Sequence, residues 1–179
     1  MILRCTKKLL AVLGAGHAAG PGPAPDAGDW YANLLWLDRR KCLLLTHAGT
    51  LFSVFEADVR AADLRATHHL VTELVERELR REGLPPATFG NLRSQELTLA
   101  TTADRSVLGC MNDMAFHCQV AISDAGGLAH TDLGKLNHAL HRNINSSRGY
   151  RPPIELAAQQ PDRRQSSRQE TGQDQAPPG

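Results

Sequence analysis

Residues 8–38 read KLLAVLGAGHAAGPGPAPDAGDWYANLLWLD, and the first half has the composition of a dinucleotide-binding fingerprint. An apolar run leads into Gly14-Ala15-Gly16, and a second apolar run ends at Asp38. The fingerprint requires a glycine turn that opens directly into a helix facing a pyrophosphate. Residues 21–25 are Pro-Gly-Pro-Ala-Pro, which cannot sustain such a helix. We therefore predict a flexible loop over residues 15–28, no dinucleotide, and flanking strands that zigzag instead of forming a parallel βαβ crossover.

The segments after this loop predict an antiparallel meander. WYANLLWL and KCLLLTH flank the charged turn Asp38-Arg39-Arg40, and TLFSVFEA follows Ala48-Gly49. The run CLLL offers no polar face, so its strand should be central and covered on both sides. Before the loop, MILRCT predicts a short strand, and KKLLAVLG predicts one or two helical turns closed by Gly14.

The second half of the chain predicts helices. Apolar residues recur at helical spacing between Asp58 and Gly83, and Asp104 is a suitable N-cap for a second helix. A third helix should start at Thr131, and SQELTLATT predicts a fourth strand. The fold class is therefore α+β, with a small antiparallel β-sheet (meander) packed against two or three helices. We expect a single domain over residues 1–158 and a disordered C-terminal tail over residues 159–179, because the tail has few apolar side chains to bury.

Composition lowers the expectation of several functions. The 179 residues include 20 Lys and Arg against 19 Asp and Glu, a formal net charge of +1, so no bulk charge attracts nucleic acid or membrane. No apolar run has the length of a membrane span, although the N-terminus leaves a signal peptide conceivable. The four cysteines form no CxxC pair, which predicts buried thiols and a cytoplasmic protein.

The richest polar stretch is ADRSVLGCMNDMAFHC. Arg105 and Asn112 share one side of the predicted helix, Asp113 lies beside them, and Ser106 belongs to the same stretch. A guanidinium, a carboxamide and a carboxylate within two turns could grip an anion or a peptide backbone. The alternative is a solvated helix face on which Arg105 pairs with a surface acid.

Two basic clusters suggest contact with phosphate. They are Arg4/Lys7/Lys8 and Arg39/Arg40/Lys41, and Trp30, Tyr31 and Trp36 lie near the second. If the first strand joins the sheet beside the meander, the clusters could converge into a phosphate-contacting face with aromatic stacking. The alternative is a solvated turn and a helix start, with the tryptophans in the core.

Three histidines invite a metal interpretation that the spacing does not support. His138 and His141 lie about 60° apart on a helix, and His130 would extend their stripe. No HExxH pattern occurs, and neither a GxSxG elbow nor a Cys/His signature is present. We therefore expect no metal and no cofactor, and we expect His68 to be a hydrogen-bonded core histidine.

Three separated stretches, RCTKKLL, GDWYANLLWLDRRKCLLLTHAGTLFSVF and RSVLGCMND, resemble an uncharacterised bacterial domain family. Members of that family occur as small stand-alone proteins and beside plasmid-ORF-type domains. The resemblance implies an α+β domain and brings no established activity. The residues that match its motifs are Arg4, Thr6, Lys7, Lys8, Trp30, Asn33, Arg105, Ser106, Met111, Asn112 and Asp113. The chain departs from the pattern at His47 and at Ala103-Asp104, where the family has asparagine.

These observations favour a non-enzymatic module that binds an unknown protein or nucleic-acid partner and no membrane. The candidate partner- or ligand-binding residues are Arg4, Lys7, Lys8, Trp30, Asn33, Arg39, Arg40, Arg105, Ser106, Asn112 and Asp113. One alternative is a purely structural or accessory role. The other is an enzyme that acts on a phosphate-containing substrate through an Arg/Asn/Asp cluster. The enzyme alternative requires Arg4, Lys7, Arg105, Asn112 and Asp113 to converge in a concave pocket.

Overall fold

The computed structural model describes residues 1–15 and 19–160. Its strands are β1 (Ile2–Cys5), β2 (Trp30–Leu37), β3 (Arg40–His47), β4 (Ser53–Glu56) and β5 (Thr98–Thr101). Its helices are α1 (Lys7–Val12), α2 (Ala61–Arg65), α3 (Thr67–Arg81), α4 (Arg105–Asp124), α5 (Leu133–Leu140) and α6 (Pro153–Ala158). This composition confirms the α+β class. Residues 161–179 of the predicted tail lie outside the described residues.

The strands form one mixed sheet in the order β4-β3-β2-β1-β5. β2 pairs antiparallel with β3, and β3 pairs antiparallel with β4, so the predicted meander is confirmed. β1 lies parallel to both β2 and β5. The sheet as a whole is therefore mixed and not antiparallel only.

The prediction that the strands around the glycine-rich stretch would not cross over is wrong. β1 and β2 run in the same direction, and α1 lies between them in the chain. The prediction considered a crossover helix only after the glycines. The crossover helix is α1, formed by KKLLAV before the glycines, and Gly14 follows α1 with φ 71°. Residues 19–29 contain no helix, as predicted. The order helix–glycine–loop–strand also differs from the strand–glycine–helix order of the dinucleotide fingerprint.

Helices cover both faces of the sheet. Leu43 and Leu45 of β3 pack on one side, which we call the α3 layer because α1, α2, α3 and α6 cover it. Cys42 and Leu44 pack on the other side, the α4 layer, formed by α4 and α5. The predicted burial of this strand on both faces is confirmed, with more helices than the two or three expected. Within the described residues, no helix is long and apolar enough to cross a membrane.

Side chains of α5 close the edge of the sheet at β4. The Asn137 Oδ1 accepts from the Phe55 N–H at 2.7 Å, and its Nδ2 donates to the Phe55 carbonyl at 3.0 Å. The His141 Nε2 lies 2.8 Å from the Ser53 carbonyl oxygen. An edge strand normally leaves such groups open to pairing with another chain. Here a helix satisfies them.

The four cysteines are buried and form no disulfide, which confirms the prediction of buried thiols. Burial raises the pKa of Cys5 to about 12 and that of Cys42 to about 11. Because the thiolate is the reactive form, these side chains act as small apolar residues near neutral pH.

Candidate functional site

Arg4 is completely buried beneath the loop that follows α1. Its Nε donates to Asp29 Oδ2 at 2.6 Å, and its terminal nitrogens donate to the carbonyl oxygens of Pro21 (3.0 Å) and Pro23 (2.7 Å). Asp29 is itself 3% exposed. The guanidinium therefore fastens the Gly/Pro loop to β1, and an external anion has no access to it.

The same loop also contacts β5, at Gly20 and Gly22. The Thr101 N–H donates to the Gly20 carbonyl at 3.0 Å, and a Cβ on Gly22 would lie 2.9 Å from the Cβ of Ala100. Gly22 also has φ +67°, so only glycine fits this crossing of loop and strand. Residues 16–18 of the loop lie outside the described residues, and its flexibility stays a prediction.

Trp30 and Asn33 have structural contacts within the sheet. Trp30 is 1% exposed and packs edge-on against Phe89, with ring centroids 5.2 Å apart. The half-buried Asn33 accepts a hydrogen bond from the Thr6 hydroxyl at 3.2 Å, which joins β2 to the start of α1. Trp30 therefore belongs to the core, where a partner cannot reach it.

The candidate residues of α4 lie on a solvated helix face. Asp104 caps the helix as predicted, because its Oδ1 accepts from the Ser106 N–H at 2.7 Å and the Val107 N–H at 3.2 Å. Gly109, in the middle of α4, is not in close contact with another segment, because a Cβ added to it would meet nothing within 4 Å. Four candidates here are exposed, and within residues 1–15 and 19–160 their side chains form no hydrogen bond or ion pair: Arg105, Ser106, Asn112 and Asp113.

The α4 candidates are far from the hairpin turn. The Asp104 N–H donates to the Tyr31 hydroxyl at one end of β2, and Asp38 at the other end accepts from the Leu128 N–H, just beyond α4. The 20 residues of α4 therefore run along the whole of β2, a length of about 30 Å. Arg105 lies at the start of this helix and Arg39 lies near its end.

The pockets of the surface do not gather the candidates. Among four pockets of the described residues, one of about 450 Å³ lies between residues 84–88 and 157–160, and another of about 420 Å³ lies between the end of β2 and the end of α4. Two smaller pockets measure about 260 and 30 Å³. None of the four is lined by Arg4, Lys7, Arg105, Asn112 or Asp113, the residues that the enzyme alternative requires.

The turn between β2 and β3 confirms the predicted hairpin. Asp38 and Arg39 both have positive φ, 48° and 63°, the conformation of a two-residue type I′ turn. Leu37 pairs with Arg40. This register fixes which side chains stand beside one another at the tip.

Cations concentrate at this end of the sheet. β1, β2 and β4 run in the same direction, so the segments that follow them leave the sheet toward the same end, although β1 ends at the level of Ala32, five residues before the end of β2. The Val59 N–H donates to the Lys41 carbonyl at 2.9 Å, which brings Arg60 beside the hairpin. We call this group of residues the basic face: Lys7, Lys8, Trp36, Arg39, Arg40, Lys41 and Arg60. Within it, Arg40 has the parity of Cys42 and therefore lies on the α4 side of the ribbon, whereas Trp36 and Lys41 lie on the other side.

The charge of the basic face is only partly neutralised. Arg40 donates to Asp58 at 2.8 Å, with both side chains about half exposed (46% and 58%). Asp63 accepts from the Arg60 backbone N–H at 2.9 Å, and Asp38 accepts from a backbone N–H as described above. The six cations thus face three carboxylates, and within the described residues the other five cations form no ion pair. The residues of the basic face and their three carboxylates therefore have an excess of three positive charges, in a chain whose net charge is +1.

Trp36 lies at the centre of the basic face. It is 54% exposed, in contrast to Trp30 on the same strand. It stands opposite Lys41 in the register, and the Lys41 Nζ lies 5.6 Å from the centroid of its ring, within the range of a cation–π contact. An exposed indole with the Lys41 cation at its ring is thus the main aromatic feature of this surface.

Sequence reasoning named Arg39, Arg40, Lys7 and Lys8 but left Trp36 and Arg60 out of the candidate set. The signal for Trp36 was present: a two-residue turn after Leu37 places Trp36 opposite Lys41, on one side of the ribbon. The signal for Arg60 was absent, because its position depends on the path of the chain after β4.

His138 and His141 lie close together, and both contact the carboxylate of Glu82, the residue that follows α3. Their Nδ1 atoms lie 3.0 and 2.9 Å from Glu82 Oε1, and Arg142 donates to Glu82 Oε2 at 2.8 Å. His130 is exposed and does not join them. Within residues 1–15 and 19–160, no group of three or more His, Cys, Asp or Glu side chains could hold a metal ion. The cluster ties α3 to α5.

The pKa values of this cluster follow from burial and partners. Burial opposes ionisation of Glu82, but the hydrogen bonds from Arg142 and His141 outweigh it and lower the pKa to about 2. Burial also lowers the pKa of His141, although Glu82 and the Ser53 carbonyl favour its protonated form.

We expect the protein to lose stability in acid through Glu82. The folded-state pKa of Glu82 lies below its ordinary value, so the stabilising contribution of this carboxylate is present above about pH 4.5 and is lost as pH falls toward 2. For Glu82, the fall from 4.5 to about 2 corresponds to roughly 3 kcal/mol of unfolding free energy. Urea unfolding of wild type and Glu82→Gln between pH 7 and pH 3 measures it. The variant should show a flatter pH dependence, and an unchanged slope would contradict the assignment.

Comparison with known proteins identifies the domain without assigning an activity. No curated protein matches the chain, and no solved structure matches it. A family model described as a domain of unknown function matches residues 2–156, from β1 into α6. The chain therefore belongs to the family DUF6933, whose function is not defined.

Proposed function

We propose that this domain is a non-enzymatic binding module and that it binds an anionic partner through the basic face. The single observation that carries the proposal is the excess of cations at the hairpin end. Lys7, Lys8 and Arg39 are exposed, and within the described residues they have no carboxylate partner. A partner that supplied the missing charges would find these side chains free to bind it.

The energetics of the face agree with this role. Pairs between exposed side chains, such as that of Arg40 with Asp58, contribute about 0–1 kcal/mol to folding. This ion pair therefore contributes little to stability, and Arg40 can exchange its partner at little cost. The turn that carries Arg39 is fixed by its type I′ geometry, so the charges are presented on a rigid tip.

Charge reversal within the basic face tests the proposal. Inorganic polyphosphate of about twelve phosphates serves as the probe, in about 50 mM salt. We expect Lys8→Glu/Arg39→Glu to weaken binding roughly tenfold or more, because two attractive contacts become repulsive. The matched control is Arg105→Glu/Arg151→Glu, which changes the net charge equally. Arg105 begins α4, and Arg151 follows Arg148, whose guanidinium donates to the Ala48 and Gly49 carbonyls at the end of β3 away from the hairpin.

The control double variant should bind within about twofold of wild type, and affinity of the wild type should fall as salt rises from about 50 to 200 mM. Equal losses in both double variants would show that only bulk charge matters. Binding that does not respond to salt would exclude phosphate contacts. Either result would overturn the proposal.

A further inference from the structure

We propose that the anionic partner is single-stranded nucleic acid and that one of its bases stacks on the ring of Trp36. This inference rests on the proposed function and names its partner. The cations alone do not identify the partner, because a nucleic acid and an acidic peptide are both anionic. The exposed ring of Trp36 distinguishes them, because a nucleic acid has bases that can stack on it.

The two tryptophans of the chain differ sharply in their surroundings. Trp30 is 1% exposed and Trp36 is 54% exposed, although the two side chains have the same parity on β2. α1 packs over the first part of β2, and Trp36 lies beyond it. An exposed indole offers a flat face on which any base can stack.

The cations lie where the phosphates next to a stacked base would be. Lys41 is directly opposite Trp36, and Arg39 is three residues further along the chain. The Thr6 N–H donates to the Ala32 carbonyl, so Lys7 and Lys8 lie beside β2 near Ala32, four residues before Trp36. From Ala32 to Arg39 the strand spans about 23 Å. A strand of several nucleotides can follow this path past the indole.

A duplex does not fit this arrangement as well. In a duplex each base is covered by its neighbours, so an exposed ring has no free base to stack on. Readout of adenine edges in a duplex groove uses amide side chains. Of the candidate amides, Asn33 bonds Thr6, and Asn112 lies on α4. The expected binding is therefore single-stranded and tolerant of sequence.

The test compares four probes on the full chain: an oligothymidylate of about twelve nucleotides, an abasic phosphodiester of the same length, a duplex of the same length, and an oligoglutamate peptide. We expect the oligothymidylate to bind about 5- to 150-fold more tightly than the abasic strand, as stacking of one base on an aromatic ring gives. It should also bind more tightly than the duplex and the peptide.

Trp36→Ala should abolish the preference for oligothymidylate over the abasic strand. The matched control is Phe116→Ala, which removes another exposed aromatic ring (63% exposed) from the α4 layer and should leave the preference intact. A Trp30→Phe variant, in which Trp36 is the remaining tryptophan, should show fluorescence quenching by oligothymidylate and none by the abasic strand.

The outcomes separate this inference from the proposed function. Equal affinity for oligothymidylate and abasic strand, or tighter binding of the duplex or peptide, would overturn base stacking. The basic face would still stand if Lys8→Glu/Arg39→Glu weakened all of these complexes. Absence of binding to every probe would overturn both.

Discussion

Replacing Arg4 by Met should lower the unfolding free energy by about 3–5 kcal/mol. The variant leaves the buried Asp29 carboxylate without its cation and removes the donors of the Pro21 and Pro23 carbonyls. Unpaired buried charge and unsatisfied carbonyls both destabilise a fold. Urea unfolding followed by circular dichroism measures the loss, and the melting temperature should fall by roughly 6–20 °C in a chain of this size.

A double-mutant cycle with Asp29→Asn isolates the ion pair. We expect Arg4→Met/Asp29→Asn to be more stable than the sum of the single variants implies, because the unpaired carboxylate is gone. Arg4→Met that is still folded at low temperature should bind polyphosphate like wild type, since Arg4 is completely buried. A loss of stability below about 1 kcal/mol, or loss of binding in the folded variant, would contradict the structural role of Arg4.

Replacing Asn137 by Leu should cost about 2–5 kcal/mol. The isosteric side chain keeps the volume but removes the acceptor for the Phe55 N–H and the donor for its carbonyl. Asn137 and Phe55 are both 0% exposed, so water cannot replace the lost partners. Each unsatisfied buried group costs about 1–3 kcal/mol. Urea unfolding again measures the difference.

The same substitution at Asn112 is the matched control. Asn112 is exposed on α4, and its side chain forms no hydrogen bond within the described part of the chain. Asn112→Leu should therefore change the unfolding free energy by less than about 0.5 kcal/mol. Similar losses at the two positions would mean that the edge of β4 does not depend on Asn137.

Local features of the fold were predictable from the sequence. The cap at Asp104, the turn at Asp38-Arg39 and the left-handed Gly83 after α3 are set by residues within a few positions, and the structure has all three. The meander was predictable because its strands follow one another along the chain. The place of β1 was not, because its pairing with β5 joins residues almost a hundred positions apart.

In the candidate site, too, the features that depend on distant residues could not be predicted from the sequence. Arg4 reads as a surface cation in sequence, and its burial depends on Asp29, 25 residues away. Trp30 and Trp36 have the same parity on β2, so alternation alone cannot show that one is core and the other surface. Trp30 is covered by Phe89, which lies 59 residues further along the chain, and such a contact is a property of the assembled layers.

The central claim is that a partner binds the hairpin end and not the polar face of α4. Hydrogen–deuterium exchange of the full chain, with and without inorganic polyphosphate, tests it most directly. We predict slower exchange at residues 7–8 and 36–41 in the complex and unchanged exchange over residues 105–113. Slower exchange over residues 105–113 with an unchanged hairpin would contradict the account.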